Sequence, residues 1–231
     1  PVARLRGTSM SVAMTEPDPV LLQLLREELV AWSRRGYERG LVAGVSGNNS
    51  LRVPGTDLIL IKATGGCQGD MDLTDTVLMT LDGEVLDPGR RPSKEWRWHA
   101  ALYAARPDTG AVVHLHPPHV VAFAVADEPL PLVHAAARAH LQKVGYVELL
   151  PAGSPELAEA VARAYSDPQV RAVVMREHGS ITIGPDLRTA YFRTEYLEDC
   201  AKVASVAAAI RGTAPAKIPL ADDTDPLAEV R

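Results

Sequence analysis

The chain has only two cysteines, Cys67 and Cys200, far apart and not in a CxxC pair. That argues against a disulfide framework and makes a reducing cytoplasm the expected setting. No stretch approaches the ~20 consecutive apolar residues that a membrane helix needs, so no membrane partner is expected. Positive charge is not in excess either: 24 lysines and arginines face 29 aspartates and glutamates, for a formal net charge of −5. A general nucleic-acid binder presents a basic face, so no nucleic-acid partner is expected. A small anionic substrate remains compatible, because a few aimed N–H groups and one or two cations can hold a phosphate. Residues 1–17 carry Arg4 and Arg6 but no continuous apolar core. They do not read as a secretory signal, and a disordered leader is expected there.

What remains is ordinary globular material, 231 residues that are 46% hydrophobic and 23% charged. One domain over 18–212 is the simplest division, followed by a tail, 213–231, rich in Pro, Asp and Ala. Asp18-Pro19 predicts a capped helix running to about Arg35. Residues 44–50 read as a turn-rich loop, with a strand from Leu58 to Ile61 and a second loop at Thr64-Gly65-Gly66. Val77–Leu81 and Glu84–Leu86 predict a hairpin about Asp82-Gly83. Ser93 is expected to cap a helix from Lys94 to about Ala105. Strands are predicted at Gly110–His116, Val144–Leu150, Val170–Met175 and Ser180–Ile183. Ser154-Pro155-Glu156 opens a further helix, and Leu187–Ile210 predicts a long one. Strands and helices mix without strict alternation, which favours a mixed or antiparallel sheet covered by helices.

The sharpest chemical signal is His114-Leu115-His116 at the end of a very apolar strand. Residues i and i+2 of a strand share a face, so the two imidazoles can converge on one cation. Left unpaired, two polar rings there would be costly to bury. His178, between the strand ending at Met175 and Gly179, sits where a sheet-edge site would form. Alone it reads equally as a turn residue; with His114 and His116 it makes a three-histidine set with positions open for substrate. Ser93-Lys94-Glu95 lies at an expected helix start, where free N–H groups favour an anion, though plain N-capping explains the same residues. Asn48, Ser50, Thr64 and Gly65 read first as turn formers. His99, His119, His134 and His140 show no partner pattern and are expected to be structural or on the surface.

Taken in order, these segments resemble the class II aldolase/adducin family over roughly residues 20–210. The matching pieces are residues 46–50 (SGNNS), 63–65 (ATG), 92–99 (PSKEWRWH), 104–108 (AARPD), 110–116 (GAVVHLH) and 177–179 (EHG). Each is weak alone and specific as an ordered set. The resemblance implies a three-layer α/β/α sandwich around a mostly antiparallel sheet, assembled as a homotetramer with active sites between subunits. It implies that His114, His116 and His178 bind a divalent metal, typically Zn2+, with Mn2+ or Co2+ as substitutes. Glu95 would be the fourth ligand and then the general base, while Asn48, Thr64, Gly65 and Ser93 would hold a substrate phosphate. The implied reaction is cleavage or formation of a C–C bond of a phosphorylated ketose through a metal-stabilised enediolate.

Two departures bear on the substrate. Lys94 stands where the sugar-phosphate aldolase branch carries a second serine, and its charge suits a second anionic group such as a carboxylate. Decarboxylases of the same family, which act on 3-oxo sugar-acid phosphates, look similar at this Lys-Glu pair. Ala135 stands where the aldolase branch has an acid-supplying tyrosine, leaving Tyr146, Tyr165 or another tyrosine to substitute. A sugar-phosphate 4-epimerase ranks lower, since that branch carries aspartate at the position of Glu95. An adducin-like, non-catalytic module would be expected to have lost its metal ligands.

Overall fold

The computed structural model describes residues 17–215. The expected leader, apart from Pro17, and the tail beyond residue 215 lie outside the described residues. Asp18 opens helix α1 (Pro19–Glu38) by accepting from the Val20 N–H at 2.8 Å, with Pro19 in the first turn, as its sequence predicts. Strands β1 (Asn48–Arg52), β2 (Leu58–Lys62) and β3 (Thr76–Thr80) follow. Then come α2 (Trp96–Ala105), β4 (Ala111–Leu115), α3 (Pro118–Ala126) and α4 (Ala135–Leu141). The chain continues through β5 (Lys143–Val147), α5 (Pro155–Ala164), β6 (Val170–Met175), β7 (Gly179–Gly184) and α6 (Leu187–Arg211).

The seven strands form one sheet in the order β3-β2-β1-β4-β7-β6-β5. Only β5 and β6 run parallel; every other neighbouring pair is antiparallel. Alternation along the strands divides the core into two sides. Ile59, Ile61, Val112, Ile181 and Ile183 pack with Trp98, Leu102 and Tyr103 of α2 and Leu157 and Val161 of α5. Leu60, Val113 and Leu115 pack with Leu29 of α1 and Tyr191 of α6, and Ala172 and Val174 with α3, α4 and α6. The result is the expected α/β/α sandwich. Strand β4 is buried at every position, which is why it reads as a continuous apolar run.

The structure departs from the sequence expectations at several points. Asn48, Asn49 and Ser50 are strand residues, not turn residues, because β1 pairs with β2 on one side and β4 on the other. Helix α2 begins at Trp96, with Glu95 at the N-cap position and no side chain closing the first turn. Ser93 instead accepts from the Glu95 N–H at 3.3 Å, and its own N–H donates to the Lys62 carbonyl. The second hairpin arm narrows to a bridge, Met79 with Val85, and the Leu78 N–H beyond it donates to the Asp87 carboxylate at 2.6 Å. β5 ends at Val147 rather than Leu150. Helices α3 and α4 are not among the predicted elements. Pro118, just past the end of β4, is the first-turn proline of α3.

Candidate metal centre

The site lies where β4 ends, β7 begins and β1 begins. His114 pairs across the sheet with Asn48 on β1 and Ile181 on β7. Its ring points to the α2 side, is fully buried, and meets the edge of Trp98 at a centroid distance of 5.4 Å. His114 Nδ1 lies 2.9 Å from the Ser180 carbonyl oxygen, which can only accept. Nδ1 therefore carries a proton, and Nε2 is the atom turned to the site, the arrangement that orients metal-bound imidazoles. His116 Nε2 sits 3.2 Å from His114 Nε2. The third ring arrives on the tight turn between β6 and β7, where Glu177 takes a left-handed φ of 50°. Gly179 closes that turn: a Cβ there would lie 2.5 Å from the Leu115 carbonyl oxygen and 2.7 Å from the His116 ring.

Glu95 completes the cluster. Its Oε2 is 3.3 Å from His114 Nε2 and its Oε1 3.6 Å from His178 Nε2. Burial by itself raises the Glu95 carboxyl; the His114 ring, hydrogen bonds from His114 and Asn48, and His178 outweigh it and hold the group well below the usual carboxylate range. Burial, then His114 and His178, push His116 down to about 3, and burial with His114 pushes His178 down to about 4. These rings are therefore neutral at physiological pH, the form that ligates metals.

Ligand atoms of His114, His116 and His178 lie within 4.8 Å of one another. Two nitrogens about 2.0–2.1 Å from a tetrahedral zinc sit roughly 3.3 Å apart, close to the 3.2 Å between the Nε2 atoms of His114 and His116. Glu95 Oε1 is buried with no hydrogen-bond partner. An orphaned carboxylate oxygen beside converging ring nitrogens is a costly arrangement without a cation and a favourable one with it. The residues fit a divalent metal.

The residues expected to hold phosphate are only partly brought together. The bridge between Ala63 and Pro92, with Thr64 N–H donating to the Arg91 carbonyl, sets the Thr64-Gly65 loop beside Ser93. Gly65 is exposed with φ of 83°, Ser93 is buried and Lys94 is exposed. Asn48 faces Glu95, its Nδ2 donating to Oε2 at 2.7 Å. Tyr165 is unsuited to act as an acid, because it is fully buried and its hydroxyl donates to the Ile181 carbonyl at 2.7 Å. Tyr146 is half exposed, its hydroxyl accepting from the Leu130 N–H at 2.9 Å, and Ala135 opens α4. His99, which shows no partner in the sequence, lies fully buried behind Glu95 and bonded to Asn48.

Residues 27–205 match the Class II Aldolase and Adducin N-terminal domain. The chain is 35% identical to the L-fuculose phosphate aldolase of Methanococcus vannielii over 167 residues, 72% of this chain and 88% of that protein. It is 32% identical to the 3-oxo-tetronate 4-phosphate decarboxylase of Haemophilus influenzae over 184 residues, 77% of this chain and 85% of that one. Among solved structures, an L-fuculose 1-phosphate aldolase superposes with a TM-score of 0.78 at 29% identity, covering 88% of this chain and 93% of the other.

Proposed function

Because the chain belongs to the class II aldolase and adducin family, we propose that it is a metal-dependent carbon–carbon lyase acting on a phosphorylated ketose. Its metal centre in this reading is Glu95, His114, His116 and His178, and the catalytic domain is 18–212. The observation that carries the reading is the convergence of three imidazoles on a buried carboxylate with an orphaned oxygen. Three imidazoles and a carboxylate suit Zn2+, with Mn2+ or Co2+ as workable substitutes. When bound, such a cation supplies Lewis-acid polarisation of substrate oxygens and stabilises charge left on carbon when the C–C bond breaks.

The chain's own residues do the rest. Glu95, held ionised, takes and returns the proton at the reacting carbon. Asn48 holds Glu95 through one N–H and has a second to offer the phosphate, with Thr64, Gly65 and Ser93. Lys94, exposed beside the site, offers charge to the phosphate or to a second anionic group. The proposal extends to a homotetramer with sites between subunits and to a cytoplasmic setting, the latter in keeping with free Cys67 and Cys200.

Lys94 and the Haemophilus relative favour one second reading, decarboxylation of a 3-oxo sugar-acid phosphate by the same site. A non-catalytic, adducin-like role ranks last because all four ligands are present. The zinc-loaded protein is tested against L-fuculose 1-phosphate and a 3-oxo-tetronate 4-phosphate. Release of dihydroxyacetone phosphate and aldehyde is expected. Carbon dioxide release alone makes the decarboxylase the function, and no turnover of either class with metal bound contradicts the proposal.

A further inference from the structure

From Glu95 and Asn48 a chain of buried polar side chains runs back to His99, Ser50 and Tyr103, three residues that the proposed reaction does not use. Three of these side chains come from α2 and its N-cap position, four residues apart: Glu95, His99 and Tyr103. Two come from β1, two residues apart: Asn48 and Ser50. On a helix i and i+4 share a face, and on a strand i and i+2 do, so the two sets interleave like a zipper. Glu95 Oε2 lies 2.7 Å from Asn48 Nδ2, and Asn48 Oδ1 lies 2.5 Å from His99 Nε2. His99 Nδ1 lies 2.7 Å from Ser50 Oγ, which is 2.9 Å from the Tyr103 hydroxyl. Asn48, Ser50, His99 and Tyr103 are all at least nine-tenths buried.

The direction of every bond follows from one end. An ionised carboxylate only accepts, so Asn48 must turn its NH2 to Glu95 and its carbonyl oxygen to His99. His99 must then donate from Nε2. Full burial and the neighbouring His114 push His99 down to about 3, so it is neutral and its Nδ1 is an acceptor. Ser50 donates to that Nδ1, and Tyr103 donates to Ser50. The chain cannot relay protons, because the Asn48 amide does not pass one on. What it can do is forbid rotation of that amide, since a flipped Asn48 would set its carbonyl oxygen against Oε2.

We propose that His99, as its neutral Nε2–H tautomer, is a positioning residue that locks the Asn48 amide nitrogen onto Glu95 and so aims the carboxylate at the reacting carbon. Ser50 and Tyr103 fix the tautomer from behind. This rests on the reading of Glu95 as the catalytic base.

Two measurements test it in the full-length, zinc-loaded protein. The first is the 15N spectrum of the histidine rings, in which His99 is expected as a neutral ring protonated on Nε2; protonation on Nδ1 overturns the proposal whatever the enzyme's activity. The second is steady-state kinetics with metal content. Removing a partner behind a metal ligand typically costs 10–100-fold, so His99→Leu is expected to lose about 10-fold or more in kcat with KM and zinc stoichiometry near wild type. His99→Gln, which keeps an N–H donor, is expected to recover part of the loss. A kcat for His99→Leu within about twofold of wild type, at full metal content, overturns it. Should wild type turn over no ketose phosphate, the aldolase reading fails while the tautomer still decides this proposal; should His99→Leu fail to fold, the tautomer and the Ser50→Ala variant, expected to lower kcat more mildly, decide it.

Discussion

In the proposed reading His114 and Glu95 hold the same metal but do different work, and substitution separates them. His114 is the fully buried member whose orientation is fixed by the Ser180 carbonyl. His114→Ala is expected to abolish both zinc retention and turnover while leaving the far-ultraviolet circular dichroism near wild type; retained activity would remove the metal centre from the account. Glu95→Gln keeps the shape and a carbonyl oxygen but loses the basic carboxylate. It is expected to retain most of the zinc and lose at least about 100-fold in kcat, the lower end of what a positioned proton-transfer group contributes. A fully active variant refutes its role as base. At this scale His114 and His116 are legible in the sequence because two imidazoles on one face of an apolar strand are costly to bury unless they bind a cation. Asn48 and His99 are not, because their partners lie 47 and 51 residues away and only the fold reveals them.

Elements are legible where local chemistry and burial agree. The long helix α6 is predicted to within a residue of its end because Asp186 caps it, accepting from the Thr189 N–H at 2.6 Å, and Gly212 closes it with φ of 63°. That cap lies at the opposite end of β7 from His178. Asp186→Ala is therefore expected to cost about 1 kcal/mol in denaturant unfolding and leave kcat/KM unchanged. A loss of activity matching the loss of stability would contradict the separation of scaffold from site. β1 is misread from sequence because Asn-Asn-Ser has turn chemistry; hydrogen bonds from two flanking strands override it. The start of α2 is misread because Ser93, a good cap by type, is bound into the Lys62 strand end, which leaves Glu95 at the boundary and turned inward.

Across the whole molecule, the irregular order of strands and helices makes a mixed or antiparallel sheet covered by helices readable, the three-layer sandwich being what the family resemblance implies, and the described residues contain no helix long and apolar enough to cross a membrane. The global property that follows most directly from the site is a dependence of stability on pH. His99, His116 and His178 are held at about 3, 3 and 4, below the ordinary 6.5. On acidification the unfolded chain takes up protons that the folded, metal-free protein refuses, so stability is present above about pH 6.5 and is lost as pH falls below it. The depressed Glu95 adds to the loss only below about pH 4.5, where an unfolded carboxylate takes up its proton. The melting temperature of metal-free protein is expected to fall steadily from pH 7.5 to pH 5, and a flat or rising profile contradicts neutral, converging rings. The central claim, that this metal centre stabilises charge on the carbon beside a ketose phosphate's carbonyl, is tested most directly by incubating the zinc-loaded protein with dihydroxyacetone phosphate in deuterated water. Stereospecific loss of one hydroxymethyl proton from the NMR spectrum is the expected result, absent in Glu95→Gln; no exchange with zinc confirmed in the site contradicts the aldolase account.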